Sequence, residues 1–560
     1  MRPSPTIVRI VASGLLVACG GDSSGPSVVP CNPSGGQSVT LALGQYQSIP
    51  PVANAGCLSF SGNASLIDSA IYLLAPQLAT DSSGATAPFV LDGDTLHVAA
   101  AVQAALGAPS QARDAGLRFH DFLRRQERTQ WTDLPPAPPA AAPLARGAAQ
   151  TPPPTVGSTR TFSVCRNVTC SAFQSVTATA KTVTGHLAIY LDNAAPAGGL
   201  TQTDFDSLAT VFDTRLYALD TTAFGRESDV DTNTVVAVLM TNVVNRLVTK
   251  AACAQTGFVA GFFFGADIDP AFRNDPRFNH GEVFYSIVAD PDSTLSCAHS
   301  VSQLLRLVPV TFVHEFQHMI SYNQHVLVRG GAPQAVWLDE GLSHLAEELG
   351  GRSYLPGDPT TFSNYAIGNL FNAYGYLDSS GTHFLAFSEG IGSLGERGAA
   401  WLFVRYLADQ FAADTDFAAV AAFTRSLVQT NLLGGTLVTA VTGEPFATVV
   451  GRWALANYVS DLPGFAPPPE LQYVSWSFRA TYASLHAQRP TTFPKPFPLT
   501  PPASLGSAVS QSGLLRAGSA WYALAAQAPS APGFTLLFSG PGGAALPAVL
   551  VPRLNVIKIR

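Results

Sequence analysis

The sequence is short of charge. Asp, Glu, Lys and Arg make up 12% of its 560 residues, against 47% for apolar residues. Lysine stands only at positions 181, 250, 495 and 558. The formal net charge of −7 gives nothing that would draw in a polyanion, which argues against a nucleic-acid binder. Low charge combined with high apolar content also argues against a disordered chain and for a globular one. There is no Cys-x-x-Cys pair, which argues against a thiolate zinc site. No segment is apolar for long enough to span a bilayer as a mature helix. At roughly 100–200 residues per domain, a chain of this length suggests three or four domains.

The first informative segment is the N-terminus. Arg2 and Arg9 precede an apolar stretch, Ile10 to Val17, which runs into Leu16-Val17-Ala18-Cys19. A basic start, a short apolar run and small residues before a cut describe a secretory signal peptide over 1–18. The Leu-x-x-Cys ending resembles the bacterial lipoprotein lipobox, which would make Cys19 the lipidated residue and the membrane a partner through that anchor. Gly20-Gly21-Asp22-Ser23-Ser24-Gly25 suits a flexible tether, placed over 19–36. Export agrees with the cysteine count. Apart from Cys19 there are six, Cys31, Cys57, Cys165, Cys170, Cys253 and Cys297, compatible with three disulfides. Pairing neighbours (31–57, 165–170, 253–297) is the simplest of the possible connectivities.

Composition then divides the chain. Residues 37–133 read as a β-rich module with a helix around Arg113 to Trp131; Val39 to Leu43 and Phe89 to Thr95 are strand-like. A Pro- and Ala-dense linker covers 134–158, extended and semi-rigid. It also suits a processing site that would separate a propeptide from a mature enzyme. Strands and helices mix from Thr159 to Val288, with strands at Leu187–Leu191, Thr234–Met240 and Val283–Val288 and a helix over Thr203–Tyr217. Helices dominate from Leu304 to Leu462, so 159–465 forms one domain. Short strands punctuated by Pro and Gly return over 466–560 as a C-terminal β-rich module.

The chemistry is concentrated in His314-Glu315-Phe316-Gln317-His318. Histidines four apart share a helix face and can reach one ion, and the Glu between them can act as general base. At about 100° per residue, Phe312, Val313, Phe316, Met319 and Ile320 fall on the opposite arc. The helix therefore buries its back and offers the histidines to a cleft. Pro309 is expected near its start, where a missing amide donor costs little. A third protein ligand is needed, with a position left for water. Trp337-Leu338-Asp339-Glu340-Gly341-Leu342-Ser343-His344-Leu345-Ala346-Glu347 supplies candidates. Leu338, Leu342, Leu345 and Leu349 make a buried stripe; Glu340, His344 and Glu347 share the other arc, with Ser343 beside them.

These strings resemble the gluzincin clan, typified by thermolysin, and more closely its hyicolysin family. The close match covers residues 308–350, and a looser one perhaps 159–460. The resemblance implies an α+β fold: a zincin-like metallopeptidase domain, a mixed sheet followed by a helical subdomain, flanked by small β-rich N- and C-terminal modules. It implies Zn²⁺ held by His314, His318 and Glu340, with Glu315 as general base. Thermolysin-like enzymes carry an Asp four residues after the ligand Glu, where this chain has His344. Ser343 and His344 are therefore candidates for supporting the ligands, and Asp339 and Glu347 remain rival ligands. The metzincin pattern is excluded. It needs Gly at 321 and His at 324, where Ser321 and Gln324 stand, with His325 one residue out of register, and no Met follows Met319.

The expected activity is that of a zinc metalloendopeptidase acting on protein or peptide substrates. Tyr365, Tyr374, Tyr376, His383, Arg397 and Tyr406 are all available to stabilise an oxyanion. Two other classes compete with this reading: a surface-anchored adhesion lipoprotein with a non-catalytic zinc site, and a zinc hydrolase of cell-wall or small amide substrates. Asp229-Val230-Asp231-Thr232-Asn233 has spacing that could bind Ca²⁺, although an Asx-rich turn before a strand is the preferred reading.

Overall fold

The computed structural model describes residues 31, 36–51, 56–93, 114–129, 131, 152–390 and 392–560. The signal peptide, Cys19 and most of the expected tether and linker lie outside these residues. The N-terminal part supplies β1 (Gln37–Val39), β2 (Tyr46–Ile49), β3 (Cys57–Phe60), β4 (Ala70–Leu78), β5 (Thr86–Asp92) and helix α1 (Ala115–Arg128). The central part opens with β6 (Thr159–Cys165), β7 (Phe173–Val183), β8 (Leu187–Asp192), α2 (Gln202–Val211), α3 (Tyr217–Ala223) and β9 (Val236–Met240). Then come α4 (Asn242–Asn245), α5 (Lys250–Thr256), β10 (Gly261–Phe263) and β11 (Val283–Ser286). Helices follow: α6 (Val301–Tyr322), α7 (Val336–Arg352), α8 (Pro359–Asp378), α9 (Leu394–Phe411), α10 (Phe417–Val428), α11 (Gly434–Thr442) and α12 (Phe446–Val459). The chain ends with α13 (Phe478–Gln488), β12 (Ala503–Leu505), β13 (Ser510–Arg516), β14 (Ala523–Gln527), β15 (Phe534–Ser539) and β16 (Pro552–Lys558). The mixture is α+β, as expected.

The central sheet has the order β10-β11-β9-β8-β7-β6. Strands β8, β9 and β11 are parallel, and β6, β7 and β10 run antiparallel to their neighbours. Every residue of β9 is buried, as an inner parallel strand covered on both faces requires. In β7 burial alternates, with Val176, Ala178 and Ala180 inside. Strand β10 is the sheet edge, and α6 packs beside it. Phe312 of α6 meets Phe284 of β11 edge-on at 4.5 Å, and Phe316 meets Phe212 at 5.3 Å.

The two terminal β-rich segments do not form separate modules. Their strands interleave in two five-stranded sheets, β1-β3-β15-β5-β13 and β12-β14-β4-β16-β2. Strand β5 lies between β13 and β15, and β4 between β14 and β16. The sheets face each other across one apolar core, in which Phe60 stacks on Phe534 at 4.5 Å and meets Tyr72 edge-on at 5.2 Å. Neither segment has enough strands to cover its own edges and inner face, and pairing between them satisfies both. This pairing also bears on the propeptide expectation, because a cut in the linker would leave β1–β5 held inside the sandwich. The C-terminal segment, expected to be β-rich, also carries the helix α13.

The six cysteines pair as 31–57, 165–170 and 253–297. No helix among the described residues is long and apolar enough to cross a membrane.

Candidate metal centre

Helix α6 begins earlier than Pro309 suggested. Ser300 and Gln303 form a capping box: the Gln303 amide donates to Ser300 Oγ (3.2 Å) and the Ser300 amide to Gln303 Oε1 (2.8 Å). That start satisfies end donors that a proline start cannot, so Pro309 sits inside the helix. Two turns further on, His314, Glu315 and His318 project from one side. Phe312, Val313, Phe316, Met319 and Ile320 are 0–3% exposed on the other. The leucine stripe of α7 is equally buried, and its polar arc faces α6 instead of solvent. Gly341 permits this geometry, because a Cβ there would meet the Ala400 carbonyl oxygen at 2.8 Å and Val404 Cγ2 at 2.6 Å on α9.

One ligand atom from each of His314, His318 and Glu340 lies within 4.8 Å of the others. His314 Nε2 is 3.6 Å and His318 Nε2 is 3.7 Å from Glu340 Oε2. A tetrahedral ion with bonds of about 2.0–2.2 Å sets its ligands at about that spacing. The opposite edge of each ring is clamped. His314 Nδ1 lies 2.7 Å from Glu347 Oε1, and His318 Nδ1 lies 2.8 Å from Asp339 Oδ2. Each carboxylate favours a proton on Nδ1 and turns the Nε2 lone pair toward the shared centre. His318 Nε2 and Glu340 Oε1 are buried without a hydrogen-bond partner, a costly state that a cation would relieve. The donors and their orphaned atoms therefore fit a metal ion.

Asp339 and Glu347, open as rival ligands on sequence, thus stand behind the histidines instead. Burial alone would raise both carboxyls. The paired His318 outweighs it for Asp339, and His344 with His314 for Glu347, holding each at about 2. His344 Nδ1 lies 3.1 Å from Glu347 Oε1, and its ring is 4.9 Å from that of His314. His344 therefore meets the site through Glu347. His314, His344 and Glu347 also form a second group with atoms close enough for an ion, but the His314 Nδ1–Glu347 hydrogen bond occupies that side. Ser343 Oγ donates to Gln317 Oε1 at 2.5 Å and so braces α6 against α7.

Glu315 is 1% exposed. Its Oε2 accepts from the Phe263 amide on β10 at 3.0 Å. Burial would raise its carboxyl, but the fields of His120, His314, His318 and Arg124 outweigh burial and hold it below the ordinary range. His120 belongs to α1, which lies across the site. Its Nδ1 is 3.6 Å from Glu315 Oε1, and burial pushes the ring down to about 3 against the pull of Glu315. Arg124 Nη2 donates to the Phe263 carbonyl at 3.2 Å, and the Gly265 amide donates to Glu127 Oε1 at 3.3 Å. Side chains of α1 thus occupy the Phe263 carbonyl at the outer edge of β10 and the Gly265 amide just past its end.

Among the six oxyanion candidates, Arg397 is the one that meets the site. It is buried, contacts Glu340, and its Nη2 lies 3.9 Å from Asp121 Oδ1 on α1. Burial lowers its guanidinium to about 10 against the pull of Asp121 and Glu315. Four of the others are engaged elsewhere, while the Tyr365 hydroxyl is buried without a hydrogen-bond partner. Tyr374 hydroxyl accepts from the Lys495 amide, Tyr376 hydroxyl donates to Ser519, Tyr406 hydroxyl donates to the Glu470 carbonyl, His383 pairs with Glu396, and Tyr365 packs on Tyr354. The sequence places a helix around Arg113 to Trp131, where α1 lies, but gives no sign that it packs on this site. Its Asp121, Arg124, Gln126 and Glu127 are all buried, an unusual burial of charge that needs partners and that only the structure reveals.

No protein-family model matches this chain, and no curated protein matches it.

Proposed function

We propose that this protein is a zinc-dependent endopeptidase. The observation that carries the reading is the convergence of His314 and His318 Nε2 on Glu340, each imidazole clamped from behind by a carboxylate, with Glu315 beside them. Two imidazoles and one carboxylate suit zinc and leave one position open. His314, His318 and Glu340 hold the ion, and Glu347 and Asp339 fix the ring orientations. A zinc ion held there would supply Lewis acidity toward the scissile carbonyl and a bound water. Glu315, low in pKa and steadied by the Phe263 amide, takes a proton from the attacking water and delivers it to the departing amine. Arg397 supplies positive charge for the developing oxyanion. An extended peptide can add to the outer edge of β10 through main-chain hydrogen bonds. Arg124 and Glu127 hold that edge, so substrate displaces them to bind.

The reading extends to location. Three disulfides are compatible with an exported protein, and we assign Cys19 as the lipid attachment site of an envelope protein. A membrane-extracted protein whose mass lacks the acyl groups would remove that assignment.

The test of substrate class is incubation of the zinc-loaded full chain with casein and with a mixed peptide library, reading new amino termini by mass spectrometry. We expect internal cleavage that stops on chelation and returns with zinc. Hydrolysis confined to cell-wall amides would replace the endopeptidase by a narrower amidase.

A further inference from the structure

A second group of oxygen ligands sits at the start of β9 and β11 and shares no residue with the metal centre. Asp229 and Asp231 lie in the loop that leads into β9, and Glu282 immediately precedes β11. These parallel strands are neighbours, and the Ala237 amide donates to the Glu282 carbonyl at 2.8 Å. The Glu282 side chain therefore comes up beneath the loop. One carboxylate oxygen from each of the three residues lies within 4.8 Å of the others. Glu282 is 3% exposed. Its Oε1 accepts from Ser228 Oγ (2.5 Å) and the Val230 amide (3.0 Å), while Oε2 is buried with no hydrogen-bond partner. Asp231 Oδ1 is buried and lacks one as well.

A nearby positive charge is Arg160, whose Nη1 is 3.7 Å from Asp231 Oδ2 and whose Nη2 donates to the Asn279 carbonyl. Arg226, whose Nε is 3.5 Å from Glu227 Oε2, also lines the adjoining cavity, so two guanidiniums stand near the three carboxylates and Glu227. Burial pushes the Glu282 carboxyl up to about 7 and also raises that of Asp231, with Arg160 opposing the latter. A cavity of about 210 Å³ adjoins the group, lined by Ser228, Asp229, Thr234 and Glu282 among others. Buried carboxylate oxygens without a donor call for an ion or a proton, and this cavity has room for the waters that complete a coordination shell.

We propose that Asp229, Asp231 and Glu282 bind a calcium ion that ties the loop before β9 to the start of β11. A set made only of oxygens selects a hard cation. Calcium accepts six to eight oxygens in irregular geometry, whereas magnesium demands a near-ideal octahedron that a loop, a strand end and water do not impose. The site is independent of the peptidase reading, since it shares no residue with the metal centre.

The experiment uses the full chain with zinc retained, freed of calcium on a chelating resin and titrated with calcium chloride by calorimetry, with magnesium chloride as control. We expect one calcium per chain and a Tm that rises with calcium concentration. Asp231→Asn and Asp229→Asn should each weaken calcium binding tenfold or more; Asp229 is exposed, so that variant retains its fold. No saturable calcium binding by the folded wild type, or affinity unchanged in both variants, would overturn the site.

Discussion

The α6–α7 pair and the terminal sandwich are opposite solutions to burial. The helices are consecutive in the chain and bury ionisable groups, His314, Glu315, His318, Asp339, Glu340, His344 and Glu347, all at most 8% exposed. The sandwich joins strands hundreds of residues apart and buries apolar side chains such as Phe60, Leu74, Leu536 and Val556. The sandwich core is complete in itself. The helix pair leaves His318 Nε2 and Glu340 Oε1 buried without a hydrogen-bond partner, beside residues that could hold a metal ion. Stability and function should therefore separate between the two regions.

The sharpest separation is expected from the sandwich. Phe60→Ala removes the partner of both Tyr72 and Phe534 and should cost about 3–5 kcal/mol in denaturant unfolding, while the protein that remains folded still binds zinc stoichiometrically. A parallel loss of zinc from the folded fraction would break the comparison. Nicking the chain between residues 134 and 154 probes the same interleaving. Since β4 and β5 are flanked on both sides by C-terminal strands, both pieces should co-elute in native gel filtration and part only in denaturant. Separation without denaturant would restore the view of two modules.

At the helix pair the effects should fall on the ion. Asp339→Asn and Glu347→Gln each remove an Nδ1 acceptor and should lower zinc affinity about 10–100-fold, measured by competition with a chromophoric chelator, with little change in the unfolding of the zinc-free protein. Unchanged affinity in both would mean that the clamps serve packing alone. The smallest effect is expected on α1. Replacing Arg124 and Glu127 together by alanine frees the edge of β10 and should raise turnover of a peptide substrate several-fold. A fall would mean that α1 helps to bind substrate.

The same contrast explains what could be read from sequence. His314, Glu315, His318 and Glu340 were legible because helical periodicity sets each on a face, and two successive amphipathic stripes converge when the helices pack. Asp339 and Glu347 were visible as acids, but whether a carboxylate ligates or supports depends on which ring nitrogen it meets, which periodicity does not encode. Pro309 misled because the Ser300–Gln303 box lies two turns before it. His120 and Arg124 were illegible for another reason: their contacts with Glu315 and Phe263 cross 195 and 139 residues of chain. The sandwich shares that reason. Strands were recognisable within each terminal segment by alternation, but alternation carries no information about which strand pairs with which. Asp229 and Asp231 were noticed, whereas Glu282, which makes their loop a site, lies about fifty residues away.

The central claim is that Glu315 acts as the base beside a metal held by His314, His318 and Glu340. Its most direct test is casein hydrolysis by folded, zinc-loaded wild type beside Glu315→Gln, with zinc content measured on the same samples. The variant should lose about 10²–10⁴-fold or more in turnover with zinc retained at one per chain. Turnover in the variant equal to wild type, or no cleavage by either zinc-loaded wild type or the zinc-loaded Arg124→Ala/Glu127→Ala double variant, would contradict it.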